Sequence, residues 1–102
     1  MVRHIVSWRY KDDVAETDKP QVAAKIKAEL EALPPLIDGL IELNVCETLP
    51  GSSGDIMLNS LLTDEAALAE YQKHPAHVKA ATYVRSMTQG RVCLDYFENL
   101  CS

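Results

Sequence analysis

The chain has 102 residues, a formal net charge of −5 at pH 7 and a pI near 5.0. This length predicts one domain over residues 1–102 and excludes a separate cofactor-binding domain. Because an acidic surface repels phosphate backbones and anionic headgroups, we expect neither nucleic acid nor membrane as a partner. Hydrophobic residues make up 47% and charged residues 25%, which is typical of a soluble globular domain.

The first 33 residues predict a strand followed by a helix. Large apolar side chains alternate with other residues over 2–10, which predicts a first strand with His4 on the same face as the apolar side chains. Apolar residues then recur at helical spacing over 18–33. Thr17 or Asp18 is expected to cap this helix, and the proline pair that follows it ends it.

The middle of the chain predicts two strands joined by a turn. A run of apolar and extended-type residues over 40–48 predicts the second strand, and the Pro-Gly-Ser-Ser-Gly segment 50–54 marks the turn. A third strand is predicted over 55–62. Segment 50–54 lacks the residues that a phosphate-binding loop requires, so it is interpreted as a hairpin connection.

The last part predicts a broken helix and a fourth strand. Thr63 and Asp64 are residues that typically cap a helix, and they predict that a helix begins with the next residue. Pro75 breaks this helix, since the residue before a proline avoids helical geometry, and begins a further helix to about Met87. Alternation over 91–97 predicts the fourth strand.

This order of elements predicts an α+β fold: a ferredoxin-like βαββαβ protomer with a four-stranded antiparallel sheet and helices on one face. The second to fourth strands are apolar on both faces, so the face without helices also needs a cover. We therefore predict a homodimer in which the uncovered sheet faces pack together.

Three cysteines are far apart and form no C-x-x-C pair, which predicts neither a disulfide framework nor a zinc site. Cys46 and Cys93 fall in strand-like segments, where buried thiols are expected, and Cys101 falls in a terminal tail. No apolar run approaches the length of a membrane span, and the start of the chain lacks a signal-peptide pattern. We expect a cytoplasmic protein.

The segment 71–78 holds the densest cluster of proton-transfer groups. With a helix break at its proline, Tyr71 falls in the last turn of one helix and His77 in the first turn of the next. The positive end of a helix disfavours imidazolium, which favours a neutral His77 able to accept a proton. His4 and Asp95 can approach the same space, where a carboxylate bonded to a ring N–H would fix the tautomer of the base.

The same residues also allow a structural interpretation. A His-Pro dipeptide is often a helix junction whose imidazole binds backbone, and a histidine in a strand is often a satisfied core residue. Asp95 needs a partner if it is buried, and a structural ion pair with Arg91, Arg3 or Arg9 would serve as well as a catalytic contact.

Several motifs together resemble the stress-responsive A/B barrel (Dabb) family: Arg-His-Ile-Val at 3–6, Lys-Asp at 11–12, Leu-Pro at 33–34, Tyr-x-x-His-Pro-x-His-Val at 71–78 and Arg-Val-Cys-Leu-Asp-Tyr at 91–96. The resemblance spans the chain and implies a ferredoxin-like protomer that forms a dimeric α+β barrel. Family members are functionally mixed. Many have no known activity, some are stress-associated stable proteins, and one plant member closes a linear polyketide by aldol condensation.

By resemblance to that plant cyclase, Tyr71 and His77 stand in the place of its catalytic pair, and His4 and Asp95 match further residues of its pocket. The first helix departs from the cyclase, which carries several aromatic residues there. This helix offers only smaller aliphatic side chains: Val22, Ala23, Ile26, Ala28 and Leu30. The resemblance therefore does not define the substrate.

One hypothesis, which the resemblance supports, is a cofactor-independent cyclase or lyase-like enzyme acting on a small apolar, phenolic or β-dicarbonyl compound. In this hypothesis His77 removes a carbon-bound proton, Tyr71 donates to the enolate, and Asp95 or His4 orients the base. His4, Asp95 and Trp8 are expected to contact the substrate. One alternative is a non-catalytic, stress-associated or small-molecule-binding dimer. Another is a cofactorless oxygenase, in which Trp8 and the inner His and Tyr would take part.

Overall fold

The computed structural model describes residues 1–98, a range that excludes the tail holding Cys101. Its four strands pair antiparallel in the order β2-β3-β1-β4. The elements are β1 (Val2–Tyr10), α1 (Lys19–Glu31), β2 (Leu40–Glu47), β3 (Ile56–Leu62), α2 (Glu65–Lys73), α3 (Pro75–Met87) and β4 (Thr88–Phe97), with a short 3-10 turn at Pro34–Leu36. The predicted ferredoxin-like α+β fold is confirmed. No helix in this part of the chain is long and apolar enough to cross a membrane.

The junction between α2 and α3 follows the prediction. The backbone N–H of Ala67 donates to the Asp64 carboxylate at 2.8 Å, which caps α2. His74 has extended backbone angles, φ −62° and ψ 135°, as a residue before a proline requires. Its Nδ1 accepts the Ala76 N–H at 3.1 Å and so caps α3. His74 is therefore engaged by the helix start.

The start of α1 and the start of β4 differ from the predictions. The side chain of Asp18 makes no capping hydrogen bond, although its carbonyl accepts the Val22 N–H at 3.0 Å. β4 begins at Thr88, three residues earlier than expected, because pairing with β1 extends past Gly90, whose φ of +63° falls where the register shifts between Ser7 and Arg9. A Cβ at Gly90 would lie 3.0 Å from Nε of Arg9, so glycine also makes room for that side chain.

The inner face of the sheet carries the core. On β1, the alternating residues Val2, His4, Val6 and Trp8 are buried, as the sequence pattern predicted. α1 packs against β2 and α3 and buries its own apolar stripe: Val22, Ala23, Ile26 and Leu30. Complete burial of each large aliphatic side chain contributes roughly 1.5–3 kcal/mol, so this layer holds the helices against the sheet.

The outer face is apolar on β4 but not on β2. Val92 and Leu94 are 56% and 64% exposed on the face of β4 that points away from His4. On β2 the prediction of two apolar faces is wrong. A register shift between Leu40 and Glu42 turns Leu40 inward and leaves Ile41 exposed. Beyond this shift, the residues of β2 on the outer face are mostly polar.

Two further expectations need correction. Cys46 is exposed, because its strand position faces away from the helices, and Cys93 is only partly buried. Arg3 also lies on the outer face, where its guanidinium binds Glu42 and Glu98. Arg3 is therefore not the partner of Asp95.

Candidate functional site

A cavity of about 370 Å³ lies between the inner face of the sheet and the helices, and its size suits a small organic molecule. Its apolar wall is formed by Val6, Trp8, Leu30, Leu58, Ala81 and Val84. Its polar groups are His4, Tyr71, Gln72, His77, Arg85 and Arg91. An apolar wall with a few convergent polar groups is the usual form of a ligand site.

His4 is held at the sheet side of this cavity. It stands directly opposite Asp95 in the β1–β4 register, and its Nδ1 lies 2.5 Å from Oδ1 of that carboxylate. Because an ionised carboxylate only accepts, Nδ1 carries the proton, and Nε2 is the ring nitrogen left for the cavity. The hydroxyl of buried Ser60 donates to the His4 carbonyl at 3.0 Å, which ties the β1 backbone to β3.

Tyr71 stands between the two histidines. Its side chain is 1% exposed, and its ring centroid lies 5.9 Å from that of His4 in an edge-on arrangement. The His77 ring is nearer, with centroids 4.4 Å apart and planes inclined at 48°. Burial raises the pKa of the Tyr71 hydroxyl, and the positive charge of Arg91 opposes this only in part. At neutral pH the hydroxyl therefore stays protonated and can donate a hydrogen bond.

His77 is fixed by the helix junction. Its Nδ1 lies 3.1 Å from the carbonyl oxygen of Gln72, which belongs to the last turn of α2 and lacks a partner within that helix. Since a carbonyl only accepts, Nδ1–H donates, and Nε2 of the neutral ring is unprotonated. Burial lowers the pKa of His77, the hydrogen bond to Gln72 offsets this only in part, and the charges of His4, Arg85 and Arg91 lower the pKa further. The ring is a neutral base at pH 7.

The structure brings four of the five residues named from the sequence into the wall of one cavity: His4, Trp8, Tyr71 and His77. Asp95 lies behind His4 and is 38% exposed on its side chain. The expected bond from Asp95 or His4 to His77 is wrong, because the Gln72 carbonyl orients His77 and Asp95 binds His4. Each histidine therefore has its own fixed partner.

Sequence reasoning missed three of the six polar residues of the cavity wall: Gln72, Arg85 and Arg91. Arg85 follows His77 by eight positions on α3, a spacing that places both on one face of a helix. Arg91 is an even number of positions from Asp95 on β4, so the two share a face of the strand. Both spacings could have been recognised in the sequence.

One cluster of side chains offers atoms of the kinds that ligate metal ions. Nδ1 of His4, Sγ of Cys93 and a carboxylate oxygen of Asp95 all lie within 4.8 Å of one another. Nitrogen, sulfur and carboxylate donors are the types that zinc prefers. The thiol is 3.6 Å from the Asp95 carboxylate, and burial together with that carboxylate raises the pKa of Cys93. Direct hydrogen bonding among the three accounts for their proximity.

Comparison with known proteins agrees with this fold. Residues 2–98 match the Stress Responsive A/B Barrel Domain (Dabb) family. A dimeric protein of unknown function with a ferredoxin-like fold from Bacteroides fragilis is 32% identical, with 93% of each chain covered and a TM-score of 0.85. A dimeric ferredoxin-like protein of unknown function from Thermobifida fusca is 26% identical, with 93% of this chain and 88% of that chain covered and a TM-score of 0.74.

An enzyme is also found among the similar structures. Hydroxynitrile lyase from Passiflora edulis is 20% identical, with 93% of this chain and 90% of that chain covered and a TM-score of 0.71. Identity at this level shows the shared fold alone. No functionally curated protein matches the chain.

Proposed function

The chain belongs to the stress-responsive A/B barrel (Dabb) domain family, and we propose that it is a cofactor-independent enzyme of the cyclase or lyase type. Its substrate is a small β-dicarbonyl or phenolic compound that fits the cavity beside Trp8. The observation that carries this proposal is the pairing of His77, a neutral base with a free Nε2, with the buried hydroxyl of Tyr71 in one cavity.

The reaction begins with proton transfer from carbon. Nε2 of His77 takes the acidic proton between two carbonyl groups, and the electron pair of the C–H bond moves onto a carbonyl oxygen. The Tyr71 hydroxyl donates a hydrogen bond to this enolate oxygen. The enolate carbon then attacks a third carbonyl, further along the same molecule, forming a carbon–carbon bond, and the imidazolium returns the proton to the new alkoxide.

Two features of the cavity support this chemistry. Tyr71 is buried, and in surroundings of low dielectric constant the hydrogen bond from its hydroxyl to a developing negative charge is stronger than in water. The ring of His4, held by Asp95, packs edge-on against Tyr71 and keeps that ring in place. His4 and Trp8 contact the substrate, whereas Asp95 acts on it through His4.

A motif resemblance and a similar structure support the proposal. The residues at positions 4, 71, 77 and 95 correspond by motif to those of the plant olivetolic acid cyclase, which closes a linear polyketide. The hydroxynitrile lyase of Passiflora edulis shares the fold. The short aliphatic side chains along α1 leave a differently shaped cavity, so we propose the reaction type and not the cyclase's own substrate.

We further propose that the chain is a single Dabb domain that works as a homodimer through the outer sheet face. Val92, Leu94 and Tyr96 form an exposed apolar row on β4. The similar proteins from Bacteroides fragilis and Thermobifida fusca are described as dimeric. Pairing of two outer faces would cover this row and produce the dimeric α+β barrel.

A second candidate is a non-catalytic stress-associated dimer. The observation that favours it is the bond between His77 and Gln72, which satisfies the end of α2 whether or not a substrate binds. In this case His77 serves the helix junction alone. The two candidates differ in whether Nε2 of His77 has a role.

The substitution His77→Asn separates these candidates. The asparagine amide can still donate to the Gln72 carbonyl but has no atom at the place of Nε2. The matched control is His74→Asn, which removes an imidazole outside the cavity and keeps a side-chain cap for α3.

The measurement is deuterium exchange at the central carbon of ethyl 2-methylacetoacetate, followed by NMR and corrected for buffer exchange. We expect H77N to lose about 10²–10⁴-fold in rate while it stays folded, as is typical when a general base is removed. H74N should keep the wild-type rate. Wild-type exchange no faster than buffer, or an unchanged rate in H77N, would favour the non-catalytic dimer.

A further inference from the structure

Two arginines line the cavity without a carboxylate partner. Arg85 lies near the end of α3 and Arg91 near the start of β4, and both join His77 in the cavity wall. Within residues 1–98, neither guanidinium forms an ion pair, although Arg3, Lys19, Lys27 and Lys73 all do.

The charge around the cavity is opposite to that of the chain. The chain carries a net charge of −5, yet the ionisable groups of the cavity wall are two arginines, two histidines and one tyrosine. None of the cavity-lining residues among 1–98 is Asp or Glu. A cavity with this charge attracts anions, and Asp95, which lies behind His4, offsets part of the charge of the two arginines.

The arginine charges also reach the reacting groups. The charge of Arg91 partly opposes the rise in the pKa of Tyr71, and the charges of Arg91 and Arg85 both contribute to the lowered pKa of His77. A ligand anion held by these arginines would therefore lie beside the base and the hydroxyl. The six apolar side chains of the wall would contact the remainder of such a ligand.

We propose that Arg85 and Arg91 form an anion subsite that binds the carboxylate of the substrate while its apolar body fills the cavity. The substrate is then a carboxylic acid that also carries the β-dicarbonyl group, rather than a neutral diketone, and a hydroxylated aromatic acid is an unreactive analogue of it. A guanidinium stays charged at every relevant pH and donates two parallel hydrogen bonds to a carboxylate. This assignment deepens the proposed function and rests on it for the shared use of the cavity.

The test compares an acid with its neutral ester. Isothermal titration calorimetry measures the affinities of 2,4-dihydroxybenzoate, its methyl ester and inorganic phosphate for the full chain. The test variant carries both R85Q and R91Q, and the matched control carries K79Q. Lys79 is an exposed cation on α3 that does not line the cavity, so its removal changes net charge alone.

We expect the wild type to bind the acid at least about tenfold more tightly than the ester, because charge-assisted hydrogen bonds are lost with the ester. The double variant should bind both equally, and K79Q should keep the preference. Equal binding of acid and ester, no measurable binding of the acid, or a preference that survives in the double variant would overturn the assignment. Phosphate binding as tight as that of the acid would overturn it too, because the apolar body would then contribute nothing.

Binding and exchange report on different claims. Preference for the acid without deuterium exchange supports the anion subsite and contradicts the catalytic proposal. Exchange that depends on His77 without preference for the acid supports catalysis and overturns the anion subsite. H77N should lose exchange and keep the acid preference, because the arginines remain.

Discussion

The Nδ1–H of His77 donates to the carbonyl oxygen of Gln72 across the junction of α2 and α3 at 3.1 Å. This single bond has two consequences. It satisfies a carbonyl that the end of α2 leaves unpaired, and it places the free lone pair of the imidazole on Nε2. The architectural and the catalytic interpretations of His77 are therefore compatible, and only removal of Nε2 distinguishes them.

The Tyr71 hydroxyl is predicted to matter for rate more than for folding. Tyr71→Phe keeps the buried ring and its contacts with His4 and His77 but removes the donor to the enolate. Loss of one such donor typically costs about 10²–10³-fold in rate. Deuterium exchange gives the rate, and thermal unfolding should show a melting temperature near that of the wild type. A folded Y71F at full rate would remove Tyr71 from the mechanism.

The rate should depend on the protonation of His77. Its pKa is lowered by burial and by the facing charges of His4, Arg85 and Arg91, so the neutral base persists below pH 6.5. We predict that the exchange rate, corrected for buffer, stays level from pH 8 to pH 6.5 and falls only in more acidic solution. A rate that already declines between pH 8 and pH 7 would show that the base is not an imidazole with a lowered pKa.

The lowered pKa of His77 also makes the folded state less stable in acid. Between the lowered value and 6.5 the unfolded chain binds a proton that the folded chain does not bind, so folding weakens as the pH falls through this range. H77N should lose part of this acid sensitivity. Urea unfolding at pH 7.5 and pH 5.5 measures it, and equal acid sensitivity in wild type and H77N would contradict the expected burial of the ring.

Asp95 is predicted to stabilise His4. In Asp95→Ala the buried His4 loses the acceptor for Nδ1–H, and an unsatisfied donor of this kind costs about 1–3 kcal/mol. Since Asp95 is 38% exposed, water can replace it in part, and the lower end of this range is expected. Asp95→Asn keeps an acceptor and should cost less. Denaturant titration of both variants provides the comparison, and equal stability of wild type and D95A would contradict it.

The proposed dimer is tested at the centre of its apolar row. Leu94→Asp places a charge on the outer face of β4 and should convert a dimer into a folded monomer at micromolar concentration. Sedimentation velocity gives the mass, and Thr82→Asp, an exposed position on α3, is the control. A monomeric wild type, or a dimeric L94D, would exclude this interface.

Much of the fold could be predicted because its determinants are local. The alternation along β1 assigned His4 to the buried face, and Pro75 required an extended residue before it. The register shift at Leu40 could not be read in this way, since a bulge depends on the pairing of two strands. It moved Ile41 to the surface and ended the apolar pattern of that strand.

Most residues of the candidate site could be predicted from the sequence, but the hydrogen bonds between them could not. His4 and Asp95 stand opposite each other only in the β1–β4 register, which no spacing in the sequence reveals. The partner of His77 is a backbone carbonyl, and such a group has no side-chain signature. The helix and strand periods could have placed Arg85 and Arg91 on the cavity side of their elements. That neither arginine has a carboxylate partner is seen only once its surroundings are known.

A double-mutant cycle on deuterium exchange tests the central claim most directly. Rates are measured for wild type, Y71F, H77N and the protein with both substitutions. Because Tyr71 and His77 are proposed to act in one step, the double variant should be no slower than H77N, which itself loses at least about 10²-fold. Losses that simply add as free energies, or an H77N rate equal to that of the wild type, would contradict an acid–base pair in this cavity.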